Sequence, residues 1–321
     1  MIHVQHFTKI FRVHEKPPGL RGAISALFKR RYREVHAVED ISFMVGRGEL
    51  VGFLGPNGAG KTTTLKVLSG LLYPNAGEVK VLGFLPWERR PDFLKRISLV
   101  MGQRHQLWWE LPARETFLLN KEIYGLSQGQ YDRSLGELSE LLDLEELNRI
   151  PVKKLSLGQR MKCELAASLI HRPEVLFLDE PTLGLDVLMQ KKLREFISNY
   201  NRAHRATILL TSHNMDDVST LCRRVILIDH GRLVYDGQLD DLVASYAPTK
   251  RIRMDFETPV GLESLRSLGL VVKAENSNVQ MEVTRGDVAR TASEILAKFP
   301  VADLTIEEPP LEEVIGRIFQ P

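Results

Sequence analysis

A chain of 321 residues exceeds one ordinary domain of ~150 residues, so one large domain with a smaller one appended, or two domains, is the expectation. Lys and Arg number 43 against 41 Asp and Glu, a formal charge of +2, which gives no global field of the kind that announces nucleic acid as the main partner. Two cysteines, Cys163 and Cys222, cannot build a disulfide framework and fit a reducing compartment, no apolar run approaches the ~20 residues needed to cross a bilayer, and the N-terminus lacks the basic-then-apolar pattern of a secretory leader; secreted, fibrous and membrane-spanning classes are therefore excluded.

In chain order, Ile2 and Val4 alternate like a strand, and Val38 to Phe43 and Leu50 to Leu54 read as further strands. Between them, residues 13–34 read as an insertion. Pro17-Pro18-Gly19 is followed by Leu20, Ile24, Leu27 and Phe28 at helical spacing and then by Lys29-Arg30-Arg31-Tyr32-Arg33. The pattern predicts a short amphipathic basic helix, either solvated surface or an element that docks on a membrane surface or a membrane-embedded partner.

Leu50 to Leu54 leads into Gly55-Pro56-Asn57-Gly58-Ala59-Gly60-Lys61-Thr62-Thr63, which fits G-x-x-x-x-G-K-[ST] in a strand–loop–helix context. Backbone N–H groups at a helix start can converge on phosphate oxygens only where side chains stay out of the way, which is what the glycines permit. In that pattern Lys61 reaches the β and γ phosphates and the Thr62 hydroxyl is placed to ligate Mg²⁺.

From about Glu115 to Leu147 the pattern is helical, with Leu135, Leu138, Leu141, Leu142 and Leu144 expected in the core. Val175 to Leu178, Thr207 to Thr211 and Val225 to Ile228 are short apolar runs separated by helical segments, the alternation of a parallel sheet with crossover helices. The first run ends in Asp179-Glu180. Strand ends are where α/β proteins build sites, so Asp179 is expected to hold Mg²⁺ and Glu180 to orient or deprotonate an attacking water. After Pro248 the order becomes strand, helix, two strands, helix, strand and a closing helix from Leu311 to Phe319, which suggests a small α+β sandwich.

Four more segments narrow the class. Leu155-Ser156-Leu157-Gly158-Gln159-Arg160 resembles the LSGGQ signature of ATP-binding-cassette (ABC) ATPases, with Leu157 in place of the first glycine. Gln103 looks like that family's Q-loop glutamine, Pro181-Thr182-Leu183-Gly184-Leu185-Asp186 resembles its D-loop, and Leu210-Thr211-Ser212-His213 resembles its switch histidine. The resemblance implies an α/β fold: a P-loop NTPase of the ABC cassette type over residues 1–245, with a mixed sheet core, an antiparallel β edge and a helical subdomain at about 103–172. A small C-terminal α+β domain, regulatory or dimer-stabilising, would occupy 248–321.

The resemblance also implies function. Cassettes of this family act as head-to-tail pairs, so ATP would lie between the phosphate loop of one copy and Ser156, Gly158 and Gln159 of another, with Asp186 nearby. Glu180, His213, Lys61 and Gln103 would carry catalysis, and Thr62, Gln103 and Asp179 the Mg²⁺. Adenine would stack on Phe11, with His36 as a rival surface. Trp108 and Trp109 follow the Q-loop and are expected either to meet a partner or to be buried in the helical subdomain. The whole resembles the ATPase subunit of an ABC-2-type exporter, paired with separately encoded transmembrane permease subunits at the cytoplasmic face of the cell membrane. A soluble ABC ATPase acting on nucleic acid or ribosomes is the alternative. It is disfavoured because no sustained heptads separate Lys61 from Leu155 and the chain carries one cassette, so no nucleic acid partner is expected.

Overall fold

The computed structural model describes residues 1–15, 31–102, 106–258 and 260–319. These residues form two compact units, Met1–Gly237 and Gln238–Pro321. The first unit holds two sheets. One has the order β2-β1-β4, from β1 (Ile2–Glu15), β2 (Arg31–Val45) and β4 (Ala76–Val81), and both of its pairings are antiparallel. The other has the order β5-β6-β7-β3-β8-β9, from β3 (Leu50–Leu54), β5 (Ile97–Met101), β6 (Val175–Asp179), β7 (Thr207–Thr211), β8 (Arg224–Asp229) and β9 (Arg232–Gln238).

The expected basic helix is corrected at both of its ends. Val13↔Arg33 and His14↔Tyr32 are antiparallel pairs that continue the β1–β2 ladder. His14 and Tyr32 also meet edge to face at 5.7 Å, a cross-strand contact that favours the extended state. The apolar part of the predicted helix, residues 16–30, lies outside the described residues.

β6 and β7 are buried along their whole length, which is why they read as unbroken apolar runs. Their parallel register sets Asp179 opposite Thr211, and Gly52 of β3 sits opposite Leu210 of β7. The carboxyl ends of β3, β6 and β7 thus open on one edge. The helix Lys61–Leu68 begins there and buries Leu65, Val67 and Leu68 in one core with Val4 and Phe7 of β1, Ile41 and Phe43 of β2, and Phe53 of β3. Three consecutive threonines are weak helix formers, so this helix is held by packing rather than by propensity.

Helices Ala113–Tyr124, Gln128–Leu142 and Leu157–Leu169 make the helical subdomain. Leu138, Leu142 and Leu144 are buried as expected, whereas Leu141 is exposed, because it lies off the stripe that faces the neighbouring helices. Residues 106–111 lie beside the signature stretch. The Val152 N–H donates to Leu111 O at 3.0 Å and the Lys153 N–H to Trp109 O at 3.0 Å, while the N–H groups of Gln106 and Leu107 donate to the buried carboxylate of Glu164.

The second unit begins earlier than the expected break at 245, because the helix Leu239–Tyr246 packs with the closing helix Leu311–Phe319. Its sheet has the order β11-β12-β10-β13, from β10 (Thr249–Phe256), β11 (Leu270–Glu275), β12 (Asn278–Thr284) and β13 (Val301–Glu307), all antiparallel. Ile252, Met254, Val279 and Met281 face Ala292 and Ile295 of the helix Val288–Lys298 in a core of their own. In β10 and β12 the buried apolar residues recur at every second position, Ile252, Met254 and Phe256 and Val279, Met281 and Val283, as a sheet covered on one face requires.

Candidate active site

The turn after β3 is shaped by glycines at two points. Gly60 caps the helix Lys61–Leu68 at φ 106°, and a Cβ there would stand 2.4 Å from Ala37 O. Gly58 has φ 84° with open space where its Cβ would be. No side chain caps this helix, so its first N–H groups remain available to an anion. The buried Lys61 ammonium folds back onto the turn, donating to Gly55 O at 2.6 Å and Pro56 O at 3.0 Å. Burial pushes its pKa down, opposed by Glu180 and Asp179.

Thr62 Oγ1 donates to Asp179 Oδ2 at 2.9 Å, and Thr211 Oγ1 donates to Asp179 Oδ1 at 2.7 Å. One hydroxyl and one carboxylate side by side are a hard-oxygen pair of the kind that suits Mg²⁺ shared with substrate phosphates.

Glu180 follows β6 in the left-handed region at φ 55°, an uncommon state for a residue with a side chain. Its N–H donates to both the carbonyl and the hydroxyl oxygen of Thr211, each at 3.1 Å. Its carboxylate accepts from the His213 N–H at 3.1 Å, and His213 Nε2 lies 3.3 Å from Glu180 Oε1. Burial raises the Glu180 pKa, against the opposing pull of His213 and Lys61. Asn57 to Thr63, Asp179, Glu180 and His213 all line one open cavity of about 530 Å³.

Other expected residues lie elsewhere. Phe11 and His36 are not among the residues lining this cavity. Phe11 pairs with Val35 in the ladder and carries Lys9 Nζ 5.1 Å above its ring, and the lining residue of this region is Ala37. Asp186 caps the helix Val187–His204 by accepting from the Met189 N–H at 2.9 Å, so its side chain is spent on a helix start. Ser156 and Gln159 form a reciprocal capping box on the helix Leu157–Leu169 and, like Gly158, do not line the cavity. Leu157 lies against the turn 181–186: a Cβ on Gly184 would be 3.0 Å from its Cδ2. Gln103 lies outside the described residues. Trp108 and Trp109 are both half exposed, with the Arg160 guanidinium 5.5 Å from the Trp109 ring.

Two residues to which the sequence assigned no role of their own, Thr211 and Gly102, also build the site. Thr211 orients Asp179 and Glu180 together. A Cβ on Gly102 would meet Glu180 O at 2.2 Å, so only glycine fits there. Thr211 stands in the switch-like segment Leu210-Thr211-Ser212-His213, and both residues stand at strand ends.

Comparison with known proteins follows this geometry. Residues 38–183 match the ABC transporter family, and residues 248–307 match the C-terminal domain of EvrA-like ABC transporters. The ABC transporter ATP-binding protein NatA of Bacillus subtilis (strain 168) is 36% identical over 221 residues, covering 69% of this chain and 89% of that protein. The linearmycin resistance ATP-binding protein LnrL of the same organism is 29% identical over 295 residues, 89% of this chain and 94% of that one. A solved structure of an ATP binding subunit of an ABC transporter superposes with a TM-score of 0.63 at 26% identity, covering 76% of this chain and 92% of that chain.

Proposed function

Since the chain belongs to the ABC transporter ATP-binding family, we propose that it is the ATP-hydrolysing subunit of an ABC-2-type exporter, working as a head-to-tail dimer on separately encoded membrane permeases. The carrying observation is the convergence of Lys61, Asp179, Glu180 and His213 on one cavity that lacks Ser156, Gly158 and Gln159. A lone copy presents half of a nucleotide site, and a second copy supplies the serine-led helix N-terminus that completes it. Leu183, Val187 and Leu188, all exposed and apolar around the turn 181–186, favour burial against that second copy.

In this reading the loop N–H groups take the phosphates, and Lys61 exchanges the carbonyls of Gly55 and Pro56 for phosphate oxygens. Its desolvation is already met in the folded chain, so little reorganisation accompanies binding. Thr62 and Asp179 would hold Mg²⁺, which when bound supplies charge neutralisation at the phosphates. Glu180 accepts a proton from the attacking water, and His213 sets the far side of the same cavity against the terminal phosphate. Gln103 is assigned to the metal and water by resemblance alone. Among the described residues no helix is long and apolar enough to cross a membrane, which is consistent with attachment through partner subunits at the cytoplasmic face. The similar protein LnrL is a linearmycin resistance ATP-binding protein, which supports outward transport of a toxic compound.

The test is the oligomeric state of Glu180→Gln. With saturating Mg-ATP, light scattering should show a dimer that persists because hydrolysis no longer separates the copies. A form that stays single under those conditions overturns the proposal. Co-purification of integral membrane subunits with the wild-type chain tests the exporter assignment, and recovery of a ribosome or nucleic acid instead would refute it.

A further inference from the structure

Behind the cavity, three polar side chains converge on one buried carboxylate. Thr182, two residues after Glu180, and Ser212, one residue before His213, donate their hydroxyls to the same oxygen, Oδ2 of Asp217; the Ser212 bond is 2.7 Å. The other oxygen, Oδ1, accepts from Arg194 Nη1 at 2.8 Å. Asp217 is fully buried and its three partners nearly so. A second strut runs beside the first. Asn214 Nδ2 donates to Gln190 Oε1 at 3.0 Å, and Gln190 Nε2 donates to Leu185 O at 3.2 Å, so the stretch after His213 is tied twice to the turn after Glu180.

Asp217 does not line the cavity, so it takes no proton from substrate. A buried charge is costly even when paired, and apolar groups of the same volume often give equal or better stability. What an apolar group could not do is hold two hydroxyls on different segments at one point. Thr182 and Ser212 each lie within two residues of the pair whose side chains stand 3.3 Å apart, His213 Nε2 and Glu180 Oε1. The backbone between each hydroxyl and its active-site neighbour is too short to absorb a shift.

From this arrangement we infer that Asp217 is a positioning residue that sets the spacing of Glu180 and His213 and locks the turn 181–186 to both. Displacement of that turn by a docking copy of the chain is then transmitted to His213 through Asp217 Oδ2, alongside the Asn214–Gln190–Leu185 strut. The inference rests on the proposed roles of Glu180 and His213, and the experiment separates the two.

Thr182→Val and Ser212→Ala each remove one hydroxyl and leave the Asp217–Arg194 pair intact, so both variants keep the buried charge compensated. Steady-state hydrolysis of Mg-ATP should fall about tenfold in kcat for each, since small misplacement of reacting groups costs up to roughly a hundredfold. KM for ATP should stay within about twofold, because the phosphate loop is untouched. Their combination should be non-additive, as expected for two groups on one acceptor. Thr182→Ser, which restores the hydroxyl, should recover kcat. A purely structural role would lower thermal stability without separating kcat from KM, and that result overturns the inference, as does wild-type kcat in both single variants. Glu180→Gln is measured alongside. If it turns over normally the reading of the site fails, and if it is inactive while Thr182→Val and Ser212→Ala are normal, only the role of Asp217 fails.

Discussion

Glu180 shows how much one side chain's surroundings decide. Its left-handed φ of 55° costs about 1–2 kcal/mol, set against two hydrogen bonds from its N–H to Thr211. Strain of this kind persists only where surrounding structure over-determines it. Burial raises the carboxyl pKa, so the native state holds the proton more tightly than the unfolded chain does. For a group that must accept a proton, activity is lost as pH falls through that raised value. The acidic limb of kcat should therefore lie above the range of an exposed glutamate. His213→Ala should move it further up, because the imidazole is one of the groups pulling the pKa down; an unmoved limb in the pH–rate profile would contradict this. The same raised pKa makes this group's own contribution to native stability greatest below the ordinary glutamate pKa and smaller as pH rises through the folded value. Glu180→Gln should thus raise the melting temperature at neutral pH while lowering phosphate release by about a hundredfold or more and leaving ATP binding intact.

At the scale of elements, two helix starts are built oppositely. The helix Lys61–Leu68 begins at a left-handed glycine with no side-chain cap, and the helix Leu157–Leu169 begins with a complete capping box. The first leaves its N–H groups for a ligand. Gly60→Ala forces a Cβ to within 2.4 Å of Ala37 O, so the loop must shift and nucleotide affinity should be lost; equilibrium dialysis with ATP is the measurement. The second start meets two of its donors within one copy, the N–H groups of Ser156 and Gln159. Ser156→Ala removes the cap and should destabilise that helix by about 1 kcal/mol, leaving hydrogen exchange in Met161 to Leu169 visibly faster. Leu157, in the place of a signature glycine, rests against the turn at Gly184 within its own chain and is partly exposed.

At the scale of the whole molecule, two units each carry their own core. The C-terminal unit is tied together by an ion cluster built on two buried groups: Arg251 Nη2 meets Glu282 Oε1 at 3.1 Å and the exposed Glu313 Oε2 at 2.8 Å, with the exposed Arg317 3.4 Å from Glu282. Burial raises the Glu282 pKa, but hydrogen bonds from Arg251 and Thr249 outweigh it and hold the group below its usual range. Its stabilising contribution is present above the unfolded glutamate pKa and is lost as pH falls through the lower folded value. Arg251→Met leaves Glu282 buried and short of a partner, so this unit should lose about 3 kcal/mol. Differential scanning calorimetry of the full chain should show one transition moved down and the other in place. A single unshifted transition would argue against the cluster's role.

The sequence by itself determined the ATPase family, the fold class and the chemistry-bearing stretches at strand ends, because phosphate binding tolerates few residue types and parallel buried strands must be apolar. It could not tell helix from hairpin at Val13–Glu15 and Arg31–Glu34, since cross-strand partners such as His14 and Tyr32 are distant in sequence. Nor could it pair Phe11 with Val35 in the ladder, spend Asp186 on a helix cap, or bring Thr182 and Ser212 to one oxygen of Asp217. Those outcomes depend on which strand lies beside which, and the order β6-β7-β3 is decided by packing over the whole unit rather than by any local run of residues.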